Sequence, residues 1–214
     1  RVAYPIECEL QDNEEELQRR FFQMLRMTCF VLFPLMMGLA ALAEPVVRLL
    51  LTDKWIETVP LIRILCFAWI WWPASNMSWQ LLNAKHRSDY CLKAEIIKKV
   101  IAISILVFSL FWGIKVVCIG MLLYYVADVY VITVFSARVL PGVTFASEMK
   151  SMLPILAYAA VMGTGVYLLD HMISSDAVSL AAGTAAGIVL YMAVTLLTGS
   201  REAWYLLEMI KKRR

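Results

Sequence analysis

Six apolar stretches, each close to the ~20 residues that cross a bilayer's hydrocarbon core, follow one another along this chain of 214 residues. They run over roughly residues 29–51, 59–83, 94–112, 114–139, 152–169 and 177–198. Such a pattern leaves few folds open. Inside hydrocarbon every backbone N–H and C=O must find its partner within the protein, so a spanning segment is a helix or a strand of a closed barrel. These stretches are too long for barrel strands, so each is expected to be a helix. Composition agrees, with 61% hydrophobic and 17% charged residues. That excludes a soluble globular domain and a disordered chain. The fold class expected is an all-α integral membrane protein with about six transmembrane helices.

Basic residues set the orientation, because cytoplasmic loops carry an excess of Lys and Arg. Sixteen of the twenty lie on one side: Arg1, Arg19, Arg20 and Arg26; Lys85, Arg87, Lys93, Lys98 and Lys99; Arg138 and Lys150; Arg201, Lys211, Lys212, Arg213 and Arg214. Only Arg48, Lys54, Arg63 and Lys115 fall on the other. The split predicts a multi-pass protein of a plasma membrane, with both termini cytoplasmic and three outward hairpins. The organisation expected is a cytoplasmic loop and amphipathic helix (1–28), four transmembrane helices (29–139), a cytoplasmic loop (140–151), two further transmembrane helices (152–198) and a basic cytoplasmic tail (199–214). The chain opens on Arg1 without an initiator Met and reads as a piece of something longer.

Before the first span, Asp12 and Glu15 have the spacing of a capping box. Glu15/Arg19 and Glu16/Arg20 are i,i+4 pairs, and Leu17, Phe21, Met24 and Thr28 fall on one stripe. Pro34, the Glu44–Pro45 step and Pro73 mark kinks or breaks inside the first two spans, or prolines that the spans simply tolerate. Gly183 and Gly187, with Gly163 and Gly165, suit close helix packing.

Chemistry is sparse. Cys8, Cys29, Cys66, Cys91 and Cys118 form no C-x-x-C pair, and their odd number fits no disulfide framework. No zinc-protease, nucleophile-elbow or P-loop signature occurs, so no catalytic residue, metal or cofactor is assigned. A net charge of +3 without a basic run interleaved with aromatics argues against nucleic acid as a partner. Asn76-Met77-Ser78 matches a glycosylation sequon but sits inside a span, where it is not read as one.

Polar groups inside the spans are the candidate site, since intramembrane charges are rare and costly. Asp128 lies near the centre of the fourth span. It reads as a cation- or proton-coupling group or as a partner for a cavity Lys or Arg, or else as a structural hydrogen-bond acceptor for Tyr124 or Tyr125. Arg48, Arg63 and Lys115 put three cations at one outer depth, where they suit a diphosphate or simply snorkel to headgroups; Glu44 and Arg48 alternatively form a plain i,i+4 salt bridge. Ser75, Asn76, Ser78, Gln80 and Asn83 give the second span a polar face, with Asn76 and Asn83 the substrate-binding candidates. Trp69, Trp71, Trp72 and Trp79 in that span are sugar-stacking platforms or, for most of them, interface anchors.

A family resemblance rests on several of these segments. Phe33-Pro34-Leu35-Met36-Met37-Gly38-Leu39-Ala40 followed by Ala43-Glu44-Pro45-Val46-Val47-Arg48-Leu49-Leu50 resembles a helix of the Wzx-type flippases. These are the lipopolysaccharide and polysaccharide exporters of the multidrug/oligosaccharidyl-lipid/polysaccharide superfamily. Lys54-Trp55 before Pro60-Leu61-Ile62-Arg63-Ile64-Leu65, and Leu82-Asn83-Ala84-Lys85-His86-Arg87-Ser88-Asp89 before Lys93-Ala94-Glu95-Ile96-Ile97-Lys98-Lys99, follow in the family's order. Tyr4-Pro5-Ile6 with Leu10-Gln11-Asp12 resembles the loop entering the first of these helices. The likeness covers about residues 1–154 and thins afterwards. One departure stands out: relatives often carry Gly before the Arg that is Arg87 here, where this chain has His86.

The resemblance implies the second lobe of a two-lobe MATE-like transporter working by alternating access. It implies a polyprenyl-diphosphate-linked oligosaccharide as substrate, carried across a bacterial inner membrane for lipopolysaccharide or exopolysaccharide biosynthesis, with membrane lipids around it and polymerases and glycosyltransferases as protein partners. A drug or cation antiporter of the same superfamily, a polytopic glycosyl- or acyltransferase, and a passive assembly subunit are the rival readings.

Overall fold

The computed structural model describes residues 13–173, 175–200 and 202, and among these there is no strand. The helices are α1 (Glu14–Ala41), α2 (Ala43–Leu51), a 3-10 turn (Asp53–Thr58), α3 (Val59–Trp69), α4 (Trp72–Ala84), α5 (Ser88–Leu110), α6 (Ile114–Ala137), α7 (Phe145–Met172) and α8 (Asp176–Leu197). Residues 1–12 of the expected N-terminal loop, and nearly all of the basic tail, lie outside the described residues.

Five runs are long and apolar enough to cross a membrane: Glu14–Ala41, Asp53–Ala84, Ile114–Ala137, Phe145–Met172 and Asp176–Leu197. The third expected span, now α5, does not join them on composition, because Lys93, Glu95, Lys98 and Lys99 crowd its first half. Its 23 residues nevertheless measure ~34 Å at the helical rise, and Ile103, Val107, Phe108 and Leu110 point outward along its second half. The segment expected as a loop over 140–151 is helical from Phe145. Thr144 caps that helix, its Oγ1 accepting the Ser147 N–H at 3.3 Å.

The N-terminal cap is shifted by one residue from the expected one. Asp12 lies outside the described residues; Asn13 Oδ1 accepts the Glu16 N–H at 3.1 Å, and Glu16 itself pairs with both Arg19 and Arg20. The stripe that α1 buries is Leu17, Phe21, Leu25 and Cys29, all fully buried, rather than one through Met24 and Thr28. Its i,i+4 rhythm is that of one helix face.

The chain divides into two compact units. The first contains Phe67–Leu153 together with the chain up to Thr28. In it α6 packs along α4 and α5, around a core of Leu82, Cys91, Ala94, Ile132 and Phe135. The second contains Cys29–Cys66 and Pro154–Arg214. There Ala43, Val47 and Val59 form a core with Ile56 and Ile62, and α2 packs on α8. The expected close packing at Gly183 and Gly187 is present. A Cβ at Gly183 would stand 2.7 Å from Leu42 Cδ2, and one at Gly187 would stand 3.2 Å from Val166 Cγ2.

The prolines divide into two kinds. The first span breaks at Leu42 just before Pro45, and the second at Ile70–Trp71 just before Pro73, so each is two helices end to end. Pro34 instead sits inside the unbroken α1. Proline there removes the N–H that would bond the carbonyl four residues back, which is that of Phe30. The buried Tyr191 hydroxyl of α8 donates to this carbonyl at 2.8 Å, with the Tyr191 and Phe30 rings 5.0 Å apart. A side chain distant in sequence thus supplies the bond that the proline cannot make.

Helix α4 ends in a Schellman arrangement. Arg87 N–H bonds Leu82 O at 2.9 Å and His86 N–H bonds Asn83 O at 3.0 Å, which puts His86 at the left-handed position with φ 55°. Glycine adopts this conformation without the steric cost that a Cβ brings. His86→Gly is expected to raise stability by about 0.5–1 kcal/mol, read as a higher midpoint of thermal unfolding in detergent. Tyr191→Phe is expected to cost about 1–2 kcal/mol through the unpaired carbonyl. Adding Pro34→Ala, which restores a backbone donor, should remove most of that loss in a double-mutant cycle.

Candidate functional site

The first unit holds a buried polar cluster at the junction of α4, α5 and α6. Asp128 of α6 forms an ion pair with Lys98 of α5, Nζ to Oδ1 at 2.8 Å, with 7% and 8% of the two side chains exposed. Lys98 also reaches Glu95, one turn back on α5, at 2.9 Å, and lies 5.5 Å from the Trp79 ring centre. The Ser75 hydroxyl of α4 donates to Asp128 Oδ2, and the Tyr124 hydroxyl stands 3.5 Å from Oδ1. The local pattern explains the placement. Cys91, Ala94 and Lys98 follow at three- and four-residue steps and form the buried stripe of α5, while Lys93 and Lys99 beside them are exposed. In apolar surroundings each charge is tolerable because the other is there.

One helical turn further along α4, Ser78 meets a second acid. Glu148, in the first turns of α7, is fully buried. It accepts hydrogen bonds from Ser78 Oγ and from Thr133 Oγ1, both at 2.7 Å, and Ser136 Oγ donates to the Ser78 carbonyl at 3.2 Å. The polar face of α4 is therefore packed against acids from its neighbours. Asn83 is used locally: its Nδ2 donates to Trp79 O at 3.1 Å and its Oδ1 faces Cys91 Sγ at 3.6 Å. Asn76 is half-buried beside them on α4.

The three expected outer cations differ in their surroundings. Arg48 is encircled by carboxylates, Glu44 at 2.8 Å, Asp53 at 3.7 Å and Asp176 at 3.8 Å. Arg63 donates from Nε to Ala40 O at 3.2 Å, where α1 ends, and stacks over the Tyr167 ring at 5.5 Å. Both belong to the second unit. Lys115 belongs to the first and is exposed at the start of α6. Among the described residues no group of three metal-ligating side chains gathers.

Residues 1–60 match a family described as "Polysaccharide biosynthesis protein". A capsule-region (cps) membrane protein of Klebsiella pneumoniae is 32% identical over 53% of this chain and 23% of its own length. The lipopolysaccharide biosynthesis protein WzxC of Escherichia coli (strain K12) is 30% identical over 46% of this chain and 20% of its own. Among solved structures, the lipid II flippase MurJ in an inward closed conformation superposes with a TM-score of 0.74 at 18% identity, over 92% of this chain and 42% of that one. The resemblance to the Wzx-type flippases is borne out. The chain covers less than half the length of each of these proteins, and its fold is that of the matching part of the MurJ structure.

The sequence points to Asp128, to a basic partner for it and to Tyr124; that the partner is Lys98, and that Ser75 joins them, is visible only in the structure. Lys98 falls among the basic residues of the cytoplasmic side, but its three-residue step from Glu95 and its place on the Cys91–Ala94 stripe mark it as inward-facing. Glu148 lies in the stretch expected as a loop, and the Thr144-x-x-Ser147 cap is the signal that places it in a helix. Lys98→Met alone should cost about 3–5 kcal/mol, because it strands the Asp128 carboxylate, and Asp128→Leu alone should cost less, because Lys98 keeps Glu95; Asp128→Leu with Lys98→Met should cost less than Lys98→Met alone. Unfolding of the purified variants in detergent measures all three, and additive losses would refute the coupling.

Proposed function

We propose that the protein moves a polyprenyl-diphosphate-linked oligosaccharide from the inner to the outer leaflet of a bacterial inner membrane, for the assembly of lipopolysaccharide or another surface polysaccharide. What carries the reading is the conjunction of two likenesses. The family match falls on residues 1–60, and the fold match to a lipid flippase extends over 92% of the chain. A transporter, not a catalyst, is the role that a chain of spanning helices with polar groups at their centres suits best. In this reading α5 is the sixth crossing, which returns both termini to the cytoplasm as the basic residues require.

The geometry supports some expected roles better than others. Arg63 and Lys115, which belong to different units, are each a separate candidate for the diphosphate, since no carboxylate pairs with either among the described residues, whereas three neutralise Arg48. Asp128 acts in coupling only together with Lys98, because its carboxylate already holds an ammonium group. Deleting the gene should stop surface polymer and leave the lipid-linked repeat unit accumulated in the inner membrane. Full-length protein with Arg63→Ala and Lys115→Ala should be made at normal level yet restore less than a tenth of the polymer. Normal polymer in the deletion strain would overturn the transport reading, and full restoration by the double variant would remove the head-group role alone.

A further inference from the structure

The break in the second span carries an aromatic group that neither anchoring nor the ion pair explains. Trp69 ends α3 and Trp72 opens α4. Their ring centres are 6.4 Å apart, Trp69 is 5.7 Å from Tyr125 of α6, and Tyr125 is 5.6 Å from Tyr124. Trp69 and Trp72 remain 41% and 38% exposed.

Depth excludes the interface reading for these two tryptophans. The run Asp53–Ala84 has its midpoint between Ala68 and Trp69, and α6 (Ile114–Ala137) has its midpoint between Tyr125 and Val126. From Val59 to Trp69 the helix rises ~15 Å, about half of the ~30 Å hydrocarbon thickness. Interface belts lie at headgroup level, so these rings sit too deep to serve as anchors. A broken helix at mid-depth is tolerated only where protein covers it or a wet cavity adjoins it. Here the polar neighbours are at hand: Tyr124 carries its hydroxyl to the edge of the Asp128–Ser75 cluster, and its 3.5 Å separation from Asp128 leaves that hydroxyl weakly engaged.

We propose that Trp69 and Trp72, with Tyr125 and Tyr124 beside them, form a stacking platform for a pyranose ring of the transported head group. The inference rests on the transport reading above. The polarised C–H face of a sugar lies against the electron-rich faces of the aromatic rings, and its hydroxyls meet the Tyr124 hydroxyl at the platform's edge. A polyprenyl tail has no hydroxyls to satisfy and gains nothing from that edge.

The test uses the full-length protein in nanodiscs and two probes: the lipid-linked oligosaccharide extracted from the deletion strain, and the polyprenyl diphosphate left after its sugars are removed. Wild type should bind both. Trp69→Ala and Tyr125→Ala should each weaken the glycosylated probe about three- to tenfold, the range a single aromatic contact supplies, and change the sugar-free probe less than twofold. Trp69→Leu, which keeps apolar bulk without a π face, should behave like Trp69→Ala, and Trp69→Phe should stay near wild type. Equal losses on both probes, or wild-type binding of the glycosylated probe by Trp69→Leu, would overturn the platform. Failure of wild type to bind either probe would instead overturn the transport reading beneath it.

Discussion

Hydrocarbon offers no hydrogen bonds, and the distinctive features of this structure are answers to that fact. A regular helix satisfies itself; a proline, a break or a charge does not. Four irregularities here have a named partner drawn from elsewhere in the same unit. The carbonyl that Pro34 leaves without a donor is served by Tyr191, the end of α1 by Arg63, and the charge of Asp128 by Lys98. Glu148 is served by two hydroxyls. The cost of an unserved group in a medium without water makes these contacts structural before they are anything else.

The same contacts shape what the protein is suited to do. Serines at one-turn spacing on α4 hold two acids contributed by two different helices, so α4 is tied to α6 and α7 by hydrogen bonds as well as by packing. Beside this tie α4 begins at a break, next to the rings of Trp69, Trp72 and Tyr125. An element that is fixed on one face and interrupted at its head is held by its neighbours rather than by an unbroken helix.

Much of this was legible in the residues. Apolar runs of about twenty residues forecast the helices, the prolines left kink, break and tolerance open, with breaks then found at Leu42 and Ile70–Trp71 and none at Pro34, and Gly183 with Gly187 forecast a close helix contact. What escaped was pairing across the sequence. Lys98 and Asp128 lie thirty positions apart, and Ser78 and Glu148 seventy; nothing local says that they meet. The basic-residue rule compounded this by treating every lysine near a loop as a loop lysine, although Lys98 shares its helix face with Cys91 and Ala94. Asn83 was read as available to a ligand, but a span's own carbonyls are the nearest acceptors for an amide, and Trp79 claims it.

The bond between Tyr191 and the Phe30 carbonyl has a bearing on how relatives diverge. The phenol is useful at that position only while residue 34 withholds its amide, and the proline is harmless only while the phenol is there. Natural selection therefore acts on the two codons jointly: a lineage that trades the ring at 34 for an ordinary residue frees position 191 to drift, and one that loses the hydroxyl first carries a defect until 34 follows. A correlated pair at these two positions, 157 residues apart, would be the historical imprint of a single missing proton donor.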